Sequence, residues 1–110
     1  MKLIDPILEF HHELKAIRRA IHANPELSYE ERQTAELVAG KLTEWGIPVI
    51  RGLGKTGVVG VIRRGSSPRA VGLRADMDAL PLQESNSFPH KSRNDGKMHA
   101  CGHDGHTAML

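Results

Sequence analysis

The spacing of apolar residues changes near the middle of this 110-residue chain, and this change constrains the fold more than any other feature. In a first segment the apolar positions recur at steps of three and four, at Ile7, Phe10, Leu14, Ile17 and Ile21. A second segment repeats the pattern at Ala35, Val38, Leu42 and Trp45. Such spacing places the side chains on one face of a helix. Beyond them the chain becomes rich in β-branched residues, which favours strands. The pattern therefore predicts two helices followed by strands, an α/β arrangement.

Residues at the ends of the two helical segments predict where each helix begins or stops. Asp5 is expected to cap the first helix, with Pro6 at its first position. Ser28 and Glu31 have the spacing of a capping box for the second helix. Gly46 lies where a left-handed C-cap would end that helix.

The second half of the chain contains two candidate inner strands. Residues 57–62 are apolar and β-branched, which predicts a strand buried on both faces. Residues 70–75 are predicted to form another inner strand, paired with the first through a turn at 65–68. Residues 83–97 are polar without a clear period and are expected to form a surface loop.

Composition narrows the function classes. Hydrophobic residues make up 39% of the chain and charged residues 25%, values ordinary for one soluble domain. The net charge of +2 comes from scattered basic residues, which argues against nucleic-acid binding. No apolar run reaches the roughly 18 residues of a membrane span, and the first residues lack a signal-peptide pattern. The single cysteine excludes an internal disulfide, so we expect a cytoplasmic protein without membrane partners.

Side chains that can bind a metal ion are most concentrated around Cys101 and His106. The only cysteine and three of the seven histidines fall within residues 99–106. A thiolate and imidazoles are ligands for transition metals such as Zn²⁺. Cys101 and His103 are two positions apart and can point the same way if they lie in an extended loop, where Gly102 would free the backbone between them. Since zinc takes about four ligands, the segment predicts part of a metal centre.

Asp76 and Asp78 form a second candidate cluster, after the predicted strand 70–75. Two interpretations remain open from these residues alone. Carboxylates two apart can ligate a cation or orient a ligating histidine. Alternatively, they form a polar turn in which Asp78 caps the following segment.

Three runs of this sequence resemble one enzyme family. The runs are His22–Ser28, Leu73–Pro81 and Met98–Thr107. In this order they resemble the N-terminal motifs of the metal-dependent amidohydrolases. That family includes hippurate hydrolase, N-acyl-amino-acid amidohydrolases and the plant auxin-conjugate hydrolases, within the wider aminoacylase and carboxypeptidase metallopeptidase clan.

The resemblance implies a two-domain enzyme with a zinc-peptidase-like α/β catalytic domain built on a mixed sheet. Residues 1–110 would be the N-terminal portion of that domain, and a smaller lid domain, which often dimerises, would lie outside it. The cofactors would be two divalent ions (Zn, Mn, Co or Ni), and the substrate a small-molecule N-acyl amino acid hydrolysed at its amide bond. The family's catalytic glutamate and further ligands would follow residue 110.

The resemblance also assigns roles residue by residue. Cys101 and His103 match the first two metal ligands. Asp78 matches the catalytic-site aspartate that orients the centre. Asp76 falls where other branches of the clan have a metal-binding histidine. Asp104 and His106 are expected to lie next to the metal ligands and support them without binding metal themselves. His22 is expected to pack and hydrogen-bond rather than bind metal, and no functional role is expected for His90 and His99.

A hypothesis of a different class is that the chain is a truncated, non-catalytic remnant with at most partial metal binding. A structural zinc module fits poorly, because the chain has no paired Cys-x-x-Cys.

Overall fold

The computed structural model describes residues 4–110. Its helices are α1 (Asp5–Ala23), α2 (Arg32–Glu44) and α3 (His103–Met109), and its strands are β1 (Val49–Leu53) and β2 (Gly57–Gly60). The two strands pair antiparallel, with Ile50 opposite Val59. Helix α1 packs against α3, while α2 packs against both strands. The α/β class is therefore confirmed. No helix within residues 4–110 combines the length and apolarity that a membrane crossing requires.

Helix α1 forms where the apolar spacing predicts it, but its start differs from the prediction. Asp5 lies inside the first turn, and Ile4 takes the N-cap position without a side-chain cap. The Asp5 carboxylate there complements the positive end of the helix dipole. Only the last turn is buried, at Ile21, His22 and Ala23. The apolar stripe nearer the start, with Ile7 and Phe10, is about half exposed.

The start of α2 is stabilised by Glu26 rather than by the predicted capping box. Helix α2 begins at Arg32, and Glu31 at its N-cap makes no capping hydrogen bond. Instead, the Glu26 carboxylate accepts from the backbone N–H of Gln33 at 3.0 Å and of Thr34 at 2.8 Å. The capping-box prediction at Ser28 was wrong, because the fold places the Glu26 carboxylate against the N–H groups at the start of α2 that lack partners within the helix.

The end of α2 confirms the prediction at Gly46, whose φ is +72°. Its N–H donates to Thr43 O, and the Ile47 N–H donates to Leu42 O. These two bonds form a Schellman motif, which requires the left-handed conformation that glycine adopts readily.

The strand predictions were partly wrong. Strand β2 ends at Gly60 and is half exposed, because only one face is covered, where Leu42 and Ile47 approach Gly60. Residues 70–75 form no strand and are largely exposed, and β2 pairs with β1 instead. A strand needs a hydrogen-bonding neighbour, and residues 4–110 place none beside 70–75.

Backbone bridges join the three motif segments. Leu27 forms a parallel bridge with Ala79, and Leu80 forms an antiparallel bridge with Met98. The Ala79 N–H donates to Glu26 O at 2.8 Å, and Leu80 and Met98 exchange hydrogen bonds of 2.9 and 3.0 Å. These bridges bring residues 76–78 beside α3.

Candidate metal centre

Asp76, His103 and His106 form a group of potential metal ligands. One donor atom from each lies within 4.8 Å of the others. His106 Nδ1 is 2.7 Å from Asp76 Oδ1, and His103 Nε2 is 3.5 Å from Asp76 Oδ2. Asp76 and His103 are partly buried, while His106 is exposed. A carboxylate and two imidazoles at this spacing suit Zn²⁺ or another transition metal.

The orientation of His103 is fixed by Asp78. Nδ1 of His103 lies 2.9 Å from the Asp78 backbone oxygen and 3.0 Å from Asp78 Oδ1. Both atoms are acceptors, so Nδ1 donates a proton to them, and Nε2 on the other side of the ring faces Asp76. An imidazole held in this way by a carboxylate is the usual arrangement of a metal-binding histidine.

Helix α3 presents His103 and His106 side by side. They are three residues apart, hence on one face of the helix, and their ring centroids are 5.5 Å apart. Gly102 precedes the helix with a φ of +93°, a left-handed conformation that strains other residues. The Thr107 hydroxyl donates to Asp76 O at 2.9 Å, which ties α3 to the 76–78 segment.

Cys101, two residues before His103, is not a member of this donor group. Its thiol is exposed and free, and the group formed within residues 4–110 consists of Asp76, His103 and His106 without it. The metal-ligand role of Cys101 and His103 and the orienting role of Asp78 remain predictions. The fold places in the donor group both Asp76, whose role the sequence left open, and His106, which was expected in an outer position.

The hydrogen bond from His106 lowers the pKa of Asp76 below its ordinary value, and the nearby imidazole of His103 acts in the same direction. Asp76 is therefore ionised at neutral pH and available as an anionic ligand. The residues present thus fit a divalent cation, although three donors leave its coordination shell incomplete.

A buried network behind α3 involves Glu84, which the sequence did not single out. His22 contacts Asp104 through Nδ1 at 2.8 Å and Glu84 through Nε2 at 3.1 Å. Glu84 also accepts from Asn86 and from the Ser92 N–H. No sequence signal marked Glu84, because it lies in the polar segment 83–97 that was predicted to be surface loop.

Burial raises the pKa of Glu84, but hydrogen bonds from Asn86, Ser92 and His22 outweigh this effect and bring it to about 2. Glu84 is consequently a buried anion. The predicted packing and hydrogen-bonding role of His22 agrees with these contacts.

His99 is also buried, with 4% of its surface exposed. Neither ring nitrogen has a hydrogen-bond partner among residues 4–110. Burial lowers the pKa of His99, so the ring is neutral at physiological pH.

Comparison with known proteins agrees with this geometry. Residues 72–110 match the model of peptidase family M20/M25/M40. Hippurate hydrolase of Campylobacter jejuni is 56% identical over 110 residues, which cover 100% of this chain and 29% of that protein. The IAA-amino acid hydrolase ILR1-like 5 of Arabidopsis thaliana is 54% identical over 94 residues, 86% of this chain and 21% of that protein.

The fold agrees as well. The crystal structure of the Bacillus subtilis protein YXEP, described as a dinuclear metal-binding peptidase of the M20 family, superposes with a TM-score of 0.87 at 42% identity. The match covers 96% of this chain and 29% of that one, so the chain spans less than a third of these relatives. Since the family match contains Asp76, His103 and His106 and the relatives align across nearly the whole chain, the chain belongs to peptidase family M20/M25/M40.

Proposed function

We propose that the protein containing this chain is a metal-dependent hydrolase of the amide bond in N-acyl amino acids with hippurate-like substrates. Its products would be a carboxylic acid and an amino acid. The names of the Campylobacter and Arabidopsis relatives support this substrate class. The observation that carries the proposal is the donor group of Asp76, His103 and His106.

We propose two divalent ions as cofactors, Zn, Mn, Co or Ni, in keeping with the dinuclear description of the Bacillus protein. His103 and Cys101 would bind metal, and Asp76 and His106 lie where they can add ligands. When bound, such ions lower the pKa of water and polarise a carbonyl group.

The chain's own residues orient this centre. Asp78 holds the proton on Nδ1 of His103, which keeps Nε2 available. The ionised carboxylate of Asp76 accepts from His106 and faces His103, so these donors converge before any ion arrives. Preorganised ligands of this kind reduce the cost of assembling the site.

We further propose that residues 1–110 are part of the catalytic domain, and that the protein acts in the cytoplasm on small molecules, with a homo-oligomeric assembly. The support for the cytoplasm is the single cysteine, which is exposed and free of disulfide bonding.

The test is made with the full-length protein, stripped of metal by a chelator and then supplied with Zn²⁺, Mn²⁺, Co²⁺ or Ni²⁺. N-benzoylglycine and N-acetyl amino acids are the substrates, and release of the free amino acid is measured. We expect release to require metal and to be lost in His103→Ala. A dipeptide with a free amino group serves as the comparison substrate and should be cleaved more slowly.

One outcome would contradict the proposed hydrolase activity. If the protein binds metal stoichiometrically yet releases no amino acid from any N-acyl substrate, the proposed activity is wrong. The hypothesis of a non-catalytic remnant would then be favoured.

A further inference from the structure

The ring of His22 lies between two buried carboxylates. His22 is 5% exposed, Glu84 6% and Asp104 1%. Nδ1 of the ring lies 2.8 Å from Asp104 Oδ2, and Nε2 lies 3.1 Å from Glu84 Oε1. The three residues come from α1, the 83–92 loop and α3, so one imidazole joins three parts of the chain.

The hydrogen-bond pattern identifies the charge state of the ring. An ionised carboxylate accepts hydrogen bonds and cannot donate. Glu84 also accepts hydrogen bonds from the amide of Asn86 and the N–H of Ser92, and despite its burial these bonds lower its pKa to about 2, as expected for an ionised carboxylate. Asp104 Oδ2 also faces Arg18 Nε at 3.2 Å. A ring with a carboxylate on each nitrogen donates from both, which is the imidazolium form.

Arg18, His90 and His99 are the other titratable groups near the ring of His22 that could carry positive charge. Arg18 contacts the same Asp104 oxygen as His22, and the rings of His90 and His99 have centroids 5.8 and 6.3 Å from that of His22. Burial lowers the pKa of both of these histidines, which keeps them neutral near pH 7. Two carboxylates thus face two cations, His22 and Arg18.

Asp104 connects this charge pair to the donor group. It is the residue after His103 and lies in the first turn of α3. Oδ2 is its anchored oxygen, contacted by His22 and Arg18 of α1, while Oδ1 is buried without a partner among residues 4–110. The side-chain contacts of Asp104 therefore tie the first turn of α3, which also carries His103, to α1.

We propose that His22 is a positioning residue: as an imidazolium held between Glu84 and Asp104, it fixes the orientation of α3 and so the imidazoles of His103 and His106. The role of these imidazoles as metal ligands rests on the proposed function, whereas the positioning itself can be tested without metal.

The first experiment compares two substitutions in the metal-free, full-length protein. His22→Asn keeps a donor near the place of Nδ1, facing Asp104, whereas His22→Gln keeps one near the place of Nε2, facing Glu84. We expect amide exchange of residues 102–110, followed by mass spectrometry, to rise about tenfold or more in His22→Gln and clearly less in His22→Asn. Thr34→Val, which removes a buried hydroxyl contact to Glu26, is the matched control and should leave α3 unchanged.

The second experiment measures the ring protonation of His22 directly, in the unsubstituted protein labelled with ¹⁵N-histidine. We expect both ring nitrogens of His22 to carry protons at pH 7.5 (the resonances being assigned by their loss in His22→Asn). A His22 ring with one protonated nitrogen, or equal exchange of α3 in His22→Gln and the unsubstituted protein, overturns the proposal.

Competition with a chelator then measures Zn²⁺ affinity, which should fall about 10–100-fold in His22→Gln, as for other residues that orient ligands. If the unsubstituted protein binds no metal while α3 exchange responds as expected, the proposed function fails and the positioning role stands. If metal binds but neither exchange nor affinity responds to His22→Gln, the positioning role fails alone.

Discussion

At the scale of single residues, the two ring nitrogens of His103 make different contacts. Nδ1 donates to Asp78, and Nε2 faces Asp76 at 3.5 Å. Removing the imidazole would remove a candidate ligand, whereas changing Asp78 would disturb only its orientation. These two kinds of substitution should therefore be separable by experiment.

In the full-length protein, we expect His103→Ala and Cys101→Ser to lose their bound metal and to lower turnover by more than about 100-fold. Asp78→Asn should keep more metal than either and lower turnover by about 10–100-fold. Metal content by elemental analysis, measured beside turnover, checks this order. His11→Ala, on an exposed position of α1, should behave as the unsubstituted protein. A full metal complement in Cys101→Ser would show that the cysteine is no ligand.

Glu84 makes a second residue-scale prediction, about acid stability. Its folded pKa of about 2 lies below its ordinary value of 4.5. The unfolded chain therefore binds more protons between these values, so the stabilisation is present above pH 4.5 and is lost as the pH falls toward 2. Urea unfolding at pH 6 and pH 3 should show the difference in stability between the unsubstituted protein and Glu84→Gln shrinking with acid. A difference independent of pH would contradict this account.

At the scale of elements, α2 shows how a helix start can depend on a residue several positions before it, outside the usual capping box. Glu26 is buried, and its carboxylate accepts from Gln33, from Thr34 N–H and from the Thr34 hydroxyl. Its backbone oxygen accepts from Ala79. Glu26 thus joins the start of α2 to the segment that carries Asp76 and Asp78.

Two substitutions distinguish this cap from the capping box that the sequence suggested. Glu26→Ala should lower the free energy of unfolding by about 1–2 kcal/mol, the usual cost of a lost cap. Ser28→Ala, at an exposed position, should change it by less than about 0.5 kcal/mol. Urea denaturation followed by circular dichroism measures both. Equal effects of the two substitutions on the free energy of unfolding would instead support the capping box at Ser28.

At the scale of the whole molecule, residues 4–110 leave apolar surface uncovered. Val71 is 88% exposed and Leu73 76%, and both line a groove of about 730 Å³ that also includes Asp76 and Asp78. Exposed apolar patches promote association. The exposed edges of β1 and β2 act in the same direction.

A polypeptide of residues 1–110 alone should therefore self-associate or remain partly ordered. Light scattering and calorimetry test this prediction. A monomer that melts cooperatively would contradict it, and the double substitution Val71→Ser with Leu73→Ser should reduce association if these residues cause it.

The same polypeptide should not hydrolyse N-benzoylglycine with Mn²⁺, Zn²⁺ or Co²⁺ added. The donor group formed by residues 4–110 has three members, fewer than the ligands that two ions require. Amino-acid release is the measurement, with Cys101→Ala as the control. Metal-dependent release above that control would show that the polypeptide is sufficient for catalysis.

Local sequence determined several features of this protein correctly. Helices α1 and α2 follow from apolar spacing, and the end of α2 follows from Gly46, because helix periodicity and left-handed glycine act over a few residues. The motifs also directed attention to residues 76–78 and 101–106, since reactive side chains at short spacing are visible without a fold.

Tertiary structure alone decided the rest. The cap on α2 came from Glu26, and residues 70–75 have no strand partner within residues 4–110. His22 contacts Glu84 and Asp104, which are 62 and 82 positions away in the sequence. Hydrogen-bond satisfaction of buried groups depends on which segments the fold brings together. Local sequence patterns do not contain that information, so a polar segment such as 83–97 can supply a buried anion.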